Sequence, residues 1–201
     1  AAPLRDGRGK IIGAVESFSA EAGIRGVRSE LHKLRRTVQS DALTGIASRR
    51  HMASRLRGIL AEIDSQAERS AGLFFVDVDN FKEFNDLHGH DAGDKALRMV
   101  ARTLRNSLRE TDVIGRWGGE EFLVLMSGCP PKEALQWSEK MRVRIETHDF
   151  ALQPAETITA SFGVASLREN DSREELFARA DAALYAAKSQ GRNRVVAADD
   201  A

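Results

Sequence analysis

Two adjacent glycines between apolar runs constrain the folding of this chain more than any other feature. Apolar residues precede the sequence Arg116-Trp117-Gly118-Gly119-Glu120-Glu121, and another apolar run, 122–126, follows it. This pattern predicts two strands joined by a tight turn. Two neighbouring carboxylates at such a tip repel each other, so their expected use is to hold a cation. Glycine also lets a large ligand lie on the backbone. A merely solvated turn is the alternative.

A second group of acids lies at the end of an apolar run, 73–78. Asp77 interrupts the end of this run and Asp79 follows it, which predicts a buried strand whose end carries carboxylates. Ligands bind at strand ends in open α/β sheets. Farther on, Lys82 is a candidate phosphate contact, while Asn85 and Asp94 offer an amide and a carboxylate for the edge of a base. These groups together indicate a nucleoside triphosphate held through a divalent ion.

Helical and strand patterns alternate through the rest of the chain. Helices are predicted at 48–66, 91–109, 131–147 and 173–189, and strands at 72–78, 113–117, 121–126, 157–165 and 194–197. Helices on a mixed sheet with a central hairpin form an α/β domain of the layered α+β kind. The chain contains no internal repeat and no Gly-x-Gly-x-x-Gly sequence.

The first 40 residues have a different pattern. Residues 3–10 are rich in turn formers, and 11–18 predict a strand with no partner nearby, which would be mobile or pair with another chain. The apolar residues that follow have spacings of 3, 4, 3 and 4, and they are Ile24, Val27, Leu31, Leu34 and Val38. Such a seam is typical of a two-stranded coiled coil. Because the seam is short, one amphipathic helix packed on its own domain is the alternative.

Composition favours a soluble enzyme. The 201 residues include 30 basic and 30 acidic side chains, so a net charge of +0 gives no argument for binding nucleic acid polymers or anionic membranes. The single cysteine, Cys129, cannot form an internal disulfide, which fits a reducing compartment. No apolar run is long enough to span a bilayer and no signal peptide is visible. We expect a cytoplasmic location for this portion, and a start at Ala1 suggests a fragment of a longer protein, which could be membrane-attached.

Four motifs in order resemble those of GGDEF-domain diguanylate cyclases. They are Asp41-Ala42-Leu43-Thr44-Gly45, the segment 75–86, Gly118-Gly119-Glu120-Glu121-Phe122, and the segment 184–194. The resemblance covers residues 40–197 and departs at Ser48, where the family usually has Asn, a change we interpret as a capping variation. It implies the ferredoxin-like palm of nucleotidyl cyclases, preceded by a coiled-coil signalling helix. Residues 1–20 resemble, more weakly, the closing hairpin of a PAS sensor domain, so the domains expected are 1–20, 21–40 and 41–201.

The resemblance also implies the reaction. Two GTP molecules condense into cyclic di-GMP with release of two pyrophosphates, and Mg²⁺, with Mn²⁺ as an alternative, lowers the charge barrier. The implied catalytic acids are Asp77, Glu120 and Glu121, and these three with the Val78 carbonyl are the implied metal ligands. The roles of the two glutamates are not separable from sequence. The implied substrate contacts are Asn85 and Asp94 for guanine, Lys82, Lys188 and Arg192 for phosphates, and Phe81, Gly118 and Gly119 around the nucleotide. For Lys188 and Arg192, the alternative is ordinary solvated charge near a helix end.

Arg109 and Asp112 precede the glycine hairpin and match the family's inhibitory Arg-x-x-Asp site. The resemblance implies that this pair binds the product cyclic di-GMP, whereas spacing alone favours a helix-end ion pair. His88 and His90 lack a third nearby ligand and are expected to be structural or solvent-facing.

One domain supplies one GTP, so the reaction requires two domains, and the N-terminal helix would join them as a homodimer. Three alternatives remain at this point. The first is an inactive domain that acts as a cyclic di-GMP receptor, the second is a cyclase with relaxed base choice, and the third is a dimerisation module that relays a signal.

Overall fold

A computed structural model describes residues 2–15, 39–64, 70–150, 157–169 and 171–198 of the chain. It contains two compact units, Ala1–Thr37 and Val38–Ala201. In the first unit, strands β1 (Ala2–Arg5) and β2 (Ile11–Val15) form an antiparallel hairpin. The predicted coiled-coil seam lies outside the described residues.

The prediction that residues 11–18 form a strand without a nearby partner was wrong, because β2 pairs with β1. The reason is local, because the carboxylate of Asp6 accepts hydrogen bonds from the backbone N–H groups of Arg8 and Lys10 at 2.9 and 3.0 Å. An aspartate that bonds its own following backbone reverses the chain. This turn brings the four-residue β1, which is too short to show a pattern in the sequence, against β2.

The second unit contains a six-stranded mixed sheet and five helices among the described residues. Its elements in chain order are β3 (Ala47–Ser48), α1 (Arg49–Asp64), β4 (Ala71–Val78), α2 (Phe81–His88), α3 (His90–Arg105), β5 (Val113–Gly118), β6 (Glu121–Ser127), α4 (Pro131–Glu146), β7 (Ala160–Ser166), α5 (Arg173–Ser189) and β8 (Val195–Ala197). The strand order is β3-β5-β6-β4-β7-β8, with β3–β5 and β7–β8 parallel and the other pairs antiparallel. The prediction of a layered α/β domain with a central hairpin is confirmed.

Both faces of the sheet are covered, which explains why β4 has no charged or polar side chain before Asp77. Its side chains alternate between the faces, so Phe74 and Val76 enter the core formed with α3 and α4, and Leu73 and Phe75 enter the core formed with α1 and α5. Asp77 continues the second series. It therefore emerges at the end of β4 on the α1–α5 face.

Two differences from the predicted elements matter for the site. Residues 81–88 form a separate helix, α2, that the sequence pattern did not distinguish from its surroundings. Helix α3 ends at Arg105, four residues before the predicted end at 109, because the chain turns there through bonds from Ser107 N–H to the Leu104 carbonyl and from Leu108 N–H to the Arg105 carbonyl. None of the described helices is long and apolar enough to cross a membrane.

Candidate active site

Asp77 is buried at the end of β4 and is neutralised from α5. Its Oδ2 lies 2.8 Å from the Nζ of Lys188, in the last turn of that helix. Lys188 was predicted as a phosphate contact, and the structure places its ammonium beside the principal predicted acid.

The tip of the β5–β6 hairpin brings the two predicted glutamates to this strand end. Glu121 lies opposite Asp77 in the antiparallel register of β4 and β6. The backbone N–H of Val78 donates to the carbonyl of Glu120 at 3.3 Å, which fixes the tip against β4. Gly119 has a φ of 46°, a left-handed conformation that glycine adopts without steric cost. We call Asp77, Glu120, Glu121 and Lys188 the catalytic edge, after the role predicted for its three acids.

Arg116, to which the sequence analysis gave no role, holds this turn in place. Its Nε donates to the carbonyl of Gly119 at 2.8 Å, and its Nη1 lies 3.4 Å from Oδ1 of Asp41. Asp41 also accepts from the N–H and the hydroxyl of Thr44 at 2.9 and 2.7 Å. Burial raises the pKa of Asp41, but these bonds and the charge of Arg116 outweigh it and hold the pKa below the ordinary value. The first motif is thus attached to the turn through Arg116.

The carboxylates of the catalytic edge act on one another. Burial raises the pKa of Asp77 to about 6, the bond and charge of Lys188 oppose this, and the charges of Glu120 and Glu121 add to it. The pKa of Glu121 is also raised, first by burial and then by Glu120, against the opposing charges of Lys188 and Arg49. Carboxylates that repel one another in this way favour a cation between them.

No group of three or more His, Cys, Asp or Glu side chains converges on a metal position within the part of the chain that the structure describes. Lys188 takes the place of a counter-ion at Asp77, and the like charges of Glu120 and Glu121 keep the acids apart. The donor chemistry fits a hard divalent cation, because carboxylate and carbonyl oxygens are the protein ligands of Mg²⁺. Mg²⁺ usually combines one or two carboxylates with substrate phosphates, so the predicted ligands form a partial set that a triphosphate would complete.

The two predicted base contacts lie on neighbouring helices. Asn85 of α2 packs so closely on Gly93 of α3 that a Cβ at Gly93 would be 1.8 Å from its Oδ1. This Oδ1 is buried and meets no hydrogen-bond donor among the described residues. A buried acceptor without a donor costs about 1–3 kcal/mol, so a ligand that supplies a donor would recover that energy. Asp94, half-exposed, lies 3.7 Å from Nη2 of Arg98, and Lys82 is exposed on α2.

Phe81 is buried at the start of α2 and stacks with Phe84 at a centroid distance of 6.3 Å. Both rings line a cavity of about 270 Å³ beside Asp79. The ring centroid of His88 lies 4.7 Å from that of Phe84.

The loop after α5, residues 190–194, carries the other predicted phosphate contact, Arg192, and we call it the phosphate loop after that prediction. Arg192 and Asn193 have φ values of 60° and 47°, a left-handed conformation that costs a residue such as Arg about 1–2 kcal/mol and that Asn adopts more readily. The loop is held from within by the Arg192 N–H, which donates to the Ala187 carbonyl at 3.1 Å. It is held from the strand side by the Asn193 N–H, which donates to Oδ2 of Asp79 at 3.0 Å.

Asp79 is a structural residue although its position at the strand end suggested a ligand. Besides Asn193, it accepts from the hydroxyls of Thr159 and Ser161 at 2.8 and 2.6 Å. One buried carboxylate therefore joins the end of β4, the strand β7 and the phosphate loop.

Helix α4 supports the same loop from the other side. The Nδ2 of Asn193 donates to Oε1 of Glu146 at 2.7 Å, and its Oδ1 accepts from Nη1 of Arg142 at 2.7 Å. Arg142 is in turn bonded to Glu146 at 2.8 Å. Sequence reasoning missed this clamp because its members are 47 and 51 residues apart.

Residues 109–112, which we call the product turn after the role predicted for Arg109 and Asp112, lie at the other end of β5 from the glycines. Asp112 is buried, and its Oδ2 accepts from the Arg109 N–H at 2.9 Å, while its Oδ1 meets no donor among the described residues. Burial raises the pKa of Asp112, and the bond and charge of Arg109 oppose this. The Arg109 guanidinium faces α4, with its Nη2 3.7 Å from Glu133 and its Cζ 5.4 Å from the ring of Trp137.

A mixed sheet whose central hairpin sets acids beside a buried aspartate and a lysine defines a nucleotidyl-cyclase type of domain. Residues 38–194 match the family model described as "Diguanylate cyclase, GGDEF domain", and the chain belongs to this family. Among curated relatives, the probable diguanylate cyclase DgcC of Escherichia coli K12 is 42% identical over 168 residues, which cover 81% of this chain and 44% of the relative. Diguanylate cyclase DgcP of Pseudomonas aeruginosa is 37% identical, over 88% of this chain and 26% of the relative. The chain thus spans less than half the length of these relatives.

Solved structures show the same fold. The coiled coil and GGDEF domain of DgcB from Caulobacter crescentus, in complex with c-di-GMP, superposes with a TM-score of 0.83 at 32% identity, over 89% of this chain and 95% of that one. The active GGEEF domain of a diguanylate cyclase from Vibrio cholerae superposes with a TM-score of 0.72 at 32% identity, over 76% and 97%.

Proposed function

We propose that this chain makes cyclic di-GMP from two molecules of GTP. The observation that carries the proposal is the catalytic edge, where buried Asp77 lies opposite Glu121 in the strand register and Glu120 precedes Glu121 in the glycine turn. In each of two equivalent steps, a 3′-hydroxyl forms a bond to the α-phosphorus of the other GTP. The α–β phosphoanhydride bond breaks, and pyrophosphate and one proton leave.

The residues of the edge have distinct roles in this proposal. Asp77, Glu120 and the Val78 carbonyl would hold a divalent ion, Mg²⁺ or Mn²⁺, which supplies charge neutralisation at the phosphates. Glu121 orients the neighbouring groups or adds a ligand. Lys188, whose side chain is 36% exposed, and Arg192 bind phosphate oxygens, as does Lys82.

Guanine is read in this proposal by Asn85 and Asp94. The unpartnered Oδ1 of Asn85 and the carboxylate of Asp94 both accept hydrogen bonds, and guanine presents donors at N1 and N2. Adenine offers no donor at N1, so it would leave the buried acceptor unsatisfied. Asp94→Ala removes the second acceptor for these donors, so it should lower the preference for GTP over ATP by roughly ten- to a hundredfold. An unchanged preference would assign base recognition to other residues.

One domain binds one GTP, so two domains must face each other. The helix predicted at 21–40 would join them as a homodimer, and the product turn would bind cyclic di-GMP and hold the two active sites apart.

The direct test is incubation of purified, nucleotide-free protein with GTP and Mg²⁺, Mn²⁺ or EDTA, followed by chromatographic separation of the nucleotides. We expect cyclic di-GMP and pyrophosphate with either metal and neither with EDTA. A dimeric preparation that binds cyclic di-GMP but makes none at saturating GTP would identify a receptor instead.

A further inference from the structure

A pocket of about 690 Å³ lies where α1 and α5 begin, outside the catalytic edge and the product turn. Its apolar lining includes Leu56, Trp117 and Phe177, and the two aromatic rings meet at a centroid distance of 4.9 Å. The volume falls within the range of about 300–1,000 Å³ that is usual for small-molecule sites. Trp117 and Phe177 are only partly buried, so their ring surfaces are accessible from the pocket.

The rim of this pocket is positively charged. The Cζ of Arg49 lies 4.6 Å from the Trp117 ring centroid, and Arg50 is exposed beside it. Neither guanidinium forms a salt bridge with another of the described residues. Arg173, by contrast, is neutralised by Glu174. Two cations above aromatic walls therefore favour an anion that carries a ring.

We propose that this pocket binds a small aromatic organic anion, whose ring packs on Trp117 and Phe177 and whose carboxylate or sulfonate pairs with Arg49 and Arg50. A nucleotide is the less suitable occupant, because the acidic side chain at the rim, Glu174, is 68% exposed, so that water competes for any hydrogen bond it could accept from a base. The proposal goes beyond cyclase activity and does not depend on it.

The position of Trp117 gives such a ligand a route to the hairpin. The β5–β6 register is irregular between Arg116 and Gly118, so Trp117 occupies an extra position immediately before the two glycines. Arg49 also acts electrostatically on Glu121. An occupant that contacts Trp117 and Arg49 thus contacts two groups that adjoin the catalytic edge.

The chain has two tryptophans, and they report on different faces. Trp117 lines the pocket, whereas Trp137 lies on α4 against Arg109 and Lys140. In ¹H–¹⁵N spectra the two indole N–H signals are assigned with Trp137→Phe. On titration with 1-naphthalenesulfonate, we expect the Trp117 signal to shift to saturation and the Trp137 signal to stay in place.

Three controls test the assigned chemistry. The parent protein should bind the neutral analogue 1-naphthalenemethanol more weakly than the sulfonate by roughly tenfold or more, since a charge-assisted bond is lost. For the same reason, the double variant Arg49→Gln/Arg50→Gln should bind the sulfonate more weakly than the parent does by roughly tenfold or more. Arg57→Gln, on α1 but outside the pocket lining, should bind as the parent does. Melting temperature and the unshifted Trp137 signal verify that each variant is folded.

The proposal is overturned if millimolar 1-naphthalenesulfonate leaves the Trp117 signal unmoved. It is also overturned if the double variant binds 1-naphthalenesulfonate as tightly as the parent protein does, or if the parent protein binds the neutral analogue as tightly as the sulfonate. In either case the pocket is only an apolar surface. Displacement of the probe by stoichiometric GTP or cyclic di-GMP would make the pocket a nucleotide site and contradict the proposal as well.

Discussion

The catalytic edge and the product turn each contain a buried aspartate, and they treat it differently. Asp77 has an ammonium at 2.8 Å and needs no ligand to balance its charge. Asp112 has one oxygen on a backbone N–H and one with no donor among the described residues, while the guanidinium of Arg109 faces Glu133. The first arrangement suits exchange of one cation for another, and the second suits a ligand that brings its own donor. The functions proposed for the two sites thus differ because the partners of the aspartate differ.

The largest effect is expected from a substitution that changes the catalytic edge alone. Glu120→Gln keeps the shape and removes the charge, so the rate of cyclic di-GMP formation should fall by roughly two orders of magnitude or more. The melting temperature should change little, because the Glu120 group bonded to Val78 is its backbone carbonyl. Product formation is measured by chromatography, with the exposed Glu169→Gln as control. Parental turnover in Glu120→Gln would remove this residue from the mechanism.

The second largest effect is expected from a substitution that changes the product turn alone. Arg109→Ala should keep the initial rate and weaken binding of cyclic di-GMP roughly ten- to a hundredfold, because a charge-assisted contact is lost. Progress curves should continue past the product level at which the parent stops, and calorimetry measures the affinity. Arg105→Ala, at the exposed end of α3, is the matched control. Equal inhibition of parent and Arg109→Ala would leave residues 109–112 a surface turn.

A third prediction concerns the clamp on the phosphate loop. Asn193→Ala should lower the free energy of unfolding by about 2 kcal/mol and raise the KM for GTP more than it lowers kcat, because bonds to Glu146 and Arg142 are lost. Asn193→Gly removes the steric cost of the left-handed backbone but does not restore these bonds. If Asn193→Gly restores the parental KM, the conformation of the loop, and not the clamp, is what matters. Glu139→Gln is the control, because it removes the charge of the other carboxylate bonded to Arg142 and leaves Asn193 untouched.

The smallest effect sharpens the description of Asp77. With metal removed, its carboxyl should titrate near pH 6, above the ordinary value of 3.8. A raised pKa in the folded state means that the proton stabilises the folded protein, so this group's contribution to the free energy of unfolding falls as pH rises from about 4 to about 6. Lys188→Gln should move the titration upward by about 1 unit. Carboxyl ¹³C shifts in EDTA measure both values, and a titration near pH 4 would contradict the burial argument.

Sequence patterns predicted the parts of the fold that repeat locally. The bounds of α5 were predicted correctly and those of α1 and α4 within two residues, because apolar periodicity continues along each helix. The end of α3 and the pairing of β1 were not predicted, because a turn and a four-residue strand carry little periodic signal. The hairpin tip and the end of β4 were both predicted as parts of the site, because at each place acidic residues adjoin an apolar strand.

The contacts that set side-chain position were beyond reach of the sequence. Arg116 meets Asp41 across 75 residues, and the Asn193 N–H meets Asp79 across 114. No period or spacing relates such pairs, and Asp77 and Asp79 look alike in the sequence although one is paired with an ammonium and the other is saturated by three neutral donors.

The bond between Asp79 and Asn193 also bears on the order in which the protein is made. Asp79 is synthesised 114 residues before the backbone group that completes its set of donors. Until that group leaves the ribosome, β4 would have to bury a carboxylate that lacks one of its partners, which is unfavourable. The strand end and the phosphate loop should therefore reach their final arrangement only after almost the whole chain is available. Nascent chains that stop before residue 193 would then have the hairpin sequence and yet no assembled catalytic edge.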